Sequence, residues 1–405
     1  MDVVFIGPAY PAEMPEFTRG LAACGARVYG IGDTPPSMLA PRVKEALYDY
    51  LQVPRILDEA DVLQRAHTWL RGRNIDRVES LWEPTVLLAA KMRERFGLPG
   101  MSPDTVLGFR DKQTMKERIA AAGLRVPHAF RATTVQGVRD AADRIGFPLI
   151  LKPIAGAGSA DTYRIDDAGQ LDAVLPHLRH VAEVSVEEFV DGEEFTYDTV
   201  CVDGTPIYEN VAQYLPRPLI ARSHEHISPI ICTVRDLGQP HLQAGLDLGR
   251  GVLKALGMGT GFTHMEWYRK SDGEVVFGEI GCRAGGARLV DQMNYTSDTD
   301  LFLGWARAVC GQPSGLSNER TYNAAIVFKR AKGQGTIHRI EGLDALVRDH
   351  RHQICAVDLL PIGARRRDWT QTLISDGWLI VRDPDWTTAL EVAQRAADTV
   401  HLYAH

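Results

Sequence analysis

Short apolar runs alternate with amphipathic stretches over the first hundred residues. Runs at 3–7, 27–32 and 78–82 read as strands. Between and after them, 15–24, 62–73 and 85–96 repeat their apolar positions at helical spacing, and Gly25 and Gly97 close the first and last of these helices. Such alternation is the rhythm of a parallel sheet with helices on its faces. The first strand–helix turn is Gly7-Pro8-Ala9-Tyr10-Pro11. It lacks the spaced glycines that let a backbone approach a pyrophosphate, so an accessory role is expected for this unit.

The turn-rich segment Leu98-Pro99-Gly100-Met101-Ser102-Pro103 marks a boundary. A helix is predicted over 111–122, stopped at Gly123. The pattern then becomes strand-rich, with strands predicted over 148–153, 182–189, 195–202, 263–268 and 275–279 and one helix over 241–256. Few long helices among many strands point to an α+β unit. From about Thr321 further strands are predicted over 324–328 and 378–381, with a closing helix over 386–400.

Composition narrows the function classes. Of 405 residues, 45% are hydrophobic and 24% charged, an ordinary globular balance for more than one domain. The net charge of -7 argues against a nucleic-acid partner, whose phosphates demand clustered cations. No apolar stretch is long enough for a membrane span, and Met1 to Gly7 reads as a core strand, not as a signal peptide. The six cysteines are scattered, without metal or disulfide spacing, so a cytoplasmic setting is expected.

Three clusters carry candidate chemistry. In Leu151-Lys152-Pro153-Ile154-Ala155-Gly156-Ala157-Gly158-Ser159 a lysine ends an apolar strand and small residues follow. Such a loop can offer backbone N–H groups to phosphates; an ordinary glycine turn is the alternative. In Glu187-Glu188-Phe189-Val190-Asp191-Gly192-Glu193-Glu194 two strand-like pieces flank a link whose peptides can meet an adenine edge, with a carboxylate beyond for ribose hydroxyls. An acidic hairpin in water is the plainer reading. In the third, Thr263 to Tyr268 and Phe277 to Gly286 form a hairpin about Lys270-Ser271-Asp272-Gly273 that can set Glu266 beside Glu279. Facing carboxylates repel unless a cation lies between them, and hard oxygen ligands with substrate phosphates suit magnesium. Arg283 can then grip a phosphoryl or carboxylate group, and the following glycines can present N–H groups to an oxyanion.

The order and spacing of these clusters, together with Asp111-Lys112…Lys116…Ala121-Ala122-Gly123-Leu124 ahead of them, resemble the ATP-grasp superfamily over nearly the whole chain. The resemblance implies an α/β pre-ATP-grasp domain (1–105) followed by α+β ATP-grasp domains: 106–320, with a small lid at about 125–190 and a larger catalytic part at about 191–320, and a biotin-carboxylase-like C-terminal region, 321–405. It also implies ATP with Mg2+, or Mn2+, as cofactors. Lys112 and Lys152 would meet the phosphates, Gly156, Ala157, Gly158 and Ser159 would cover them, Glu187 and the Val190 backbone would read adenine, and Glu194 the ribose. Glu266 and Glu279 would hold the metal and Arg283 the acyl phosphate. The activity implied is a carboxylate–amine ligase acting on small molecules such as amino acids, with homodimers common in the family. A carboxylase that activates bicarbonate and a non-catalytic nucleotide-binding protein are the alternatives.

One position departs from the family pattern. Gly281 stands in Glu279-Ile280-Gly281-Cys282-Arg283 where an asparagine usually ligates metal, and Asp291 or Asn294 is a candidate replacement. His264 lies two residues before Glu266, as in the amine-ligase branch, or is a packed strand histidine. The segment from Tyr214 to Pro229 is the expected substrate region, with His226 the candidate base. Lys329, Arg330, Lys332 and Arg365-Arg366-Arg367 are candidates to face an anionic substrate, with solvated surface charge favoured for the arginine run.

Overall fold

The computed structural model describes residues 1–154 and 162–405. Near the N-terminus four parallel strands stand in the order Asp49–Gln52, Arg27–Gly32, Asp2–Ile6, Arg77–Ser80. Asp2–Ile6 is buried along its whole length, as a central parallel strand covered on both faces must be. The expected helices form as Met14–Ala23, Glu59–Trp69 and Val86–Phe96. The edge strand Asp49–Gln52 is short, polar at both ends and half-exposed, so no periodicity announced it.

A second sheet is antiparallel, in the order Ala129–Ala132, Val184–Glu188, Leu149–Pro153, Tyr163–Ile165. It has its own core, including Leu149, Leu151, Ile165 and Val186 under the helix Val135–Ile145.

The largest sheet has eight strands. Their order is Val275–Gly281, Gly261–Arg269, Glu193–Val202, Thr205–Leu215, Ile230–Thr233, Asn323–Phe328, Gly377–Asp383, Ile354–Leu359. The C-terminal segment therefore completes the same sheet that 191–320 begins. Its remaining strands form a small three-stranded sheet around His401–Ala404. On one face Phe262, Tyr208 and Val200 pack with the helix Leu301–Val309 and with Phe5 and Phe17, so the N-terminal unit and the large sheet share a core. On the other face the helix Pro240–Leu256 sets Gly245 and Gly249 against Trp267 and Tyr197. No helix among the described residues is long and apolar enough to cross a membrane.

The contact at Gly245 leaves no room for a side chain. A Cβ there would lie 2.3 Å from the fully buried Trp267 ring, which cannot move aside. Gly245→Val is expected to lower the unfolding free energy by about 1–3 kcal/mol through overpacking, measured by urea denaturation.

Candidate active site

A cleft of about 810 Å³, counting its solvent-open mouth, runs between the antiparallel sheet and the large sheet. Its walls come from distant parts of the chain. Ile150 and Lys152 lie on one sheet, Glu194, Glu266 and Glu279 on the other, and Glu187 to Val190 lie at the junction. The helix Lys112–Ala121 adds Lys112. Asp111 caps that helix by accepting from the N–H groups of Gln113 and Thr114, which fixes where the lysine begins. Pro127, Ile150, Phe189, Val190, Leu219 and Tyr268 supply an apolar slot at one end.

The polar end is a network of opposed charges. Glu187 is 3% exposed and its carboxylate is gripped from two sides, by Lys116 Nζ at 2.7 Å and Lys152 Nζ at 2.9 Å. Ser185 Oγ donates a third contact at 2.7 Å. Burial alone would raise the Glu187 pKa; the two lysines outweigh it and hold the carboxyl well below the usual range. Burial brings Lys116 down to about 8 despite Glu187. For Lys152 the balance reverses: burial pulls its pKa down, but Glu187 and Glu279 outweigh it and keep the ammonium above its ordinary value.

Glu266 and Glu279 stand directly opposite one another on neighbouring strands. Lys112 Nζ lies 3.3 Å from Glu279, and Tyr214 OH donates to Glu266 at 3.1 Å. Burial would raise Glu279, yet Lys112 and Lys152 bring it down to about 2. Glu266 moves the other way, raised by burial and by the facing Glu279. Burial and then repulsion from Glu266 push Glu194 up to about 8, although Arg217 Nε donates to it at 3.1 Å. Glu266 and Glu279 repel one another across the hairpin, as the raised Glu266 shows, and their donors are hard oxygens. A divalent cation fits both facts. Among the described residues no set of three or more such ligands converges, so phosphate oxygens and water would complete the shell around the Glu266–Glu279 pair.

A smaller cavity adjoins, lined by Glu83, Arg110, Lys112, His264, Glu279, Gly281 and Arg283 among others. Glu83 comes from the N-terminal unit and bridges two arginines, Arg110 at 2.5 Å and Arg283 at 2.6 Å. A Cβ on residue 281 would lie 2.9 Å from the Glu83 carboxylate, so glycine leaves the room that the carboxylate takes up. His264 Nδ1 and Asp198 Oδ1 are 2.6 Å apart, and Asp198 also accepts from Thr196 Oγ1 and Asn210 Nδ2.

No family model matches the chain. It is 28% identical over 221 residues to an L-arginine-specific L-amino acid ligase of Bacillus subtilis, a match that covers 53% of this chain and 52% of the ligase. It is 29% identical over 315 residues to an uncharacterised protein of Sinorhizobium fredii, covering 74% of this chain and 64% of that one. The chain thus spans between half and two thirds of the length of these curated relatives. The crystal structure of an L-amino acid ligase from Bacillus licheniformis superposes with a TM-score of 0.80 over 100% of this chain and 98% of the other, at 18% identity. The chain has the ATP-grasp fold. Its sequence relatives include carboxylate–amine ligases of that superfamily.

Within this ATP-grasp cleft most of the expected residues converge. Lys112, Lys152, Glu187, Val190, Glu194, Glu266 and Glu279 all line the main cavity. Arg283 lines the adjoining one. Gly156, Ala157, Gly158 and Ser159 lie outside the described residues. Glu187 lines the cavity, but its carboxylate is committed to the lysines and not free for a base.

Other expectations are corrected. His226 is exposed, sits edge-on to His224, and lines neither cavity, because the loop after the helix Pro218–Ala221 turns toward the C-terminal segment. Arg330 holds that loop by donating to Ala221 O and His224 O, and Arg366 holds it through Glu225. The Arg366 side chain is only 5% exposed and also faces the buried Asp376, so the arginine run is not simply solvated. Lys329 is buried, its Nζ donating to the Ala396 and Ala397 carbonyls at the end of the last helix. Neither candidate replacement for the missing asparagine reaches the cleft: Asn294 caps the next helix at Leu301 N, and Asp291 lies beside Arg288.

Arg217, from the expected substrate segment, does line the cleft, whereas three residues at the site escaped sequence reasoning as functional positions: Glu83, Lys116 and Asp198. Glu83 had a usable signal. It follows the C-terminal end of a parallel strand, where open α/β sheets place ligands. Lys116 sits one helical turn after Lys112, on the same face.

Removing the Glu187 charge would leave two buried lysines without their shared partner. Glu187→Gln is expected to cost about 3–5 kcal/mol of unfolding free energy. Since the folded pKa is depressed below 4.5, this contribution is fully present above that value and is lost as the pH falls further. Denaturation of both proteins across pH should give a wild-type advantage that is constant near neutrality and shrinks below about pH 4.5.

Proposed function

We propose that the chain is an ATP-dependent carboxylate–amine ligase that forms an amide or peptide bond through an acyl phosphate. The observation that carries this reading is the single cleft in which Lys112 and Lys152 face the opposed pair Glu266 and Glu279, with Arg283 next door. The named ligases among its relatives support the same choice. Amino acids are the proposed substrates, and a homodimer and a cytoplasmic location are part of the proposal.

In the proposed reaction a substrate carboxylate oxygen attacks the γ-phosphorus in line, and the bond to ADP breaks. Lys112 and Lys152 hold the phosphate oxygens as charge shifts onto them. Magnesium, when bound at Glu266 and Glu279, neutralises phosphate charge. Arg283 holds the acyl phosphate, an amine attacks its carbonyl carbon, and the tetrahedral oxyanion collapses with loss of phosphate, which takes up the proton that the amine gives up. The apolar slot beside Phe189, Val190 and Tyr268 takes adenine, and Glu194 with Arg217 meets the ribose. The flanking walls exclude water that would otherwise hydrolyse the acyl phosphate.

Phosphate release from ATP and Mg2+ against pools of carboxylates, with hydroxylamine as the amine, tests the reading. Release that depends on an acid and yields a hydroxamate is expected. Release with bicarbonate alone would replace the ligase by a carboxylase, and ATP binding without release under any acid would leave a nucleotide-binding protein. Glu279→Gln should abolish release while the circular dichroism stays unchanged. Lys152→Ala removes a charge-assisted contact worth about 1.5–3 kcal/mol, raising the KM for ATP about 10- to 100-fold. His226→Ala, by contrast, should retain wild-type rates; a loss beyond about tenfold would return that histidine to the reaction.

A further inference from the structure

The Sγ atoms of Cys24 and Cys310 lie 3.6 Å apart although 286 positions separate the two residues. Cys24 is the C-cap of the helix Met14–Ala23, in the N-terminal unit. Cys310 is the C-cap of the helix Leu301–Val309, which covers the large sheet. The two helices are held in close register. A Cβ on Gly20 would strike Phe302 O at 2.6 Å, Arg19 pairs with Asp300 at 2.9 Å, and Gln312 Nε2 donates to Cys24 O at 3.0 Å. The thiols are therefore brought together by the surrounding packing.

Their surroundings differ from those of the other cysteines. Cys201, Cys232 and Cys282 are buried, and burial pushes their thiols up. Burial likewise raises Cys355, to about 11. Cys24 is partly exposed and shares a hydrogen bond with the Cys310 thiol, which lowers Cys24 and raises Cys310. Cys310 is the more buried of the two, at 6% exposed. An accessible thiol backed by a buried second thiol is the arrangement of an attacking and a resolving cysteine.

We propose that Cys24 and Cys310 are a peroxide-oxidised dithiol whose disulfide ties the N-terminal unit to the body of the ATP-grasp fold. The Cys24 thiolate attacks one oxygen of hydrogen peroxide, the O–O bond breaks, and hydroxide leaves, taking up a proton to give water. The resulting sulfenic acid is then attacked by Cys310, the S–O bond breaks, and a second water forms. Both sulfurs are oxidised as peroxide is reduced, and two thiols plus one peroxide become one disulfide plus two waters. The sulfurs must close from 3.6 Å to about 2.05 Å. A dithiol reductant reverses the reaction by exchange. The N-terminal unit also carries Glu83, which grips Arg283, so the cross-link secures a seam on which the site depends.

The chain, reduced and then treated with about one equivalent of hydrogen peroxide at neutral pH, should lose two titratable thiols. Non-reducing peptide mapping should recover a Cys24–Cys310 cross-linked peptide within single molecules, with Cys201, Cys232 and Cys282 still alkylatable after denaturation. Dithiothreitol should restore both thiols, and the oxidised form should unfold at a higher temperature than the reduced one. Cys24→Ser and Cys310→Ser should each abolish the cross-link; should either fail to fold, the wild-type map decides alone. Thiols that stay alkylatable, a Cys24 driven to sulfinic acid without a bridge, or bridges to another cysteine or another copy would each overturn the proposal. None of these readouts depends on the ligase reading.

Discussion

Glu187 between Lys116 and Lys152 is the interaction around which the cleft is organised. An isolated lysine at that depth would shed its proton to escape the desolvation cost, and Lys116 already moves that way. The shared carboxylate keeps Lys152 charged and facing the opening, at the end of the strand Leu149–Pro153. Because Glu187 lies on the neighbouring strand and Lys116 on the helix Lys112–Ala121, the one ion triad also fixes how the antiparallel sheet meets that helix. A polyanion entering the cleft meets cations already placed, whose reorganisation cost is met in folding.

The second constraint is steric. Gly281 leaves space that a side chain would fill, and the Glu83 carboxylate occupies it, bridging Arg110 and Arg283. The departure from the family's usual asparagine thus has a physical account in this chain. It exchanges a side chain of the catalytic sheet for one brought by the N-terminal unit. That unit is no detached accessory: it shares a hydrophobic core with the large sheet and contributes directly to the smaller cavity.

Much of this was legible in the sequence, for reasons that can be stated residue by residue. The hairpin carrying Glu266 and Glu279 was legible from its Gly-containing turn, but the two carboxylates face each other only because a bulge at Gly278 slips the register by one residue beyond Trp267 and Phe277. Lys152 stood at the end of an apolar run. The long strand Thr205–Leu215 was illegible because Glu209, Asn210 and Gln213 interrupt its pattern; Glu209 finds Tyr197 on the paired strand and Arg250 on the helix Pro240–Leu256, and Asn210 finds Asp198 on the paired strand. Glu83 and Lys116 were missed as site residues since their meaning depends on contacts 200 and 71 positions away. His226 misled for the opposite reason: a histidine-rich loop looks chemical, but its orientation is set by Arg330 and Arg366.

Positional isotope exchange tests acyl-phosphate formation most directly. ATP labelled with 18O at the β,γ-bridge is incubated with Mg2+, enzyme and the acid that supports phosphate release, without an amine. If the carboxylate is activated as proposed, the acid should drive scrambling of the label into the non-bridging β-oxygens, and Glu279→Gln should stop it. Amide product formed from the same acid with no scrambling, under conditions where ADP remains bound and free to rotate, would contradict the acyl phosphate and with it the account of the cleft.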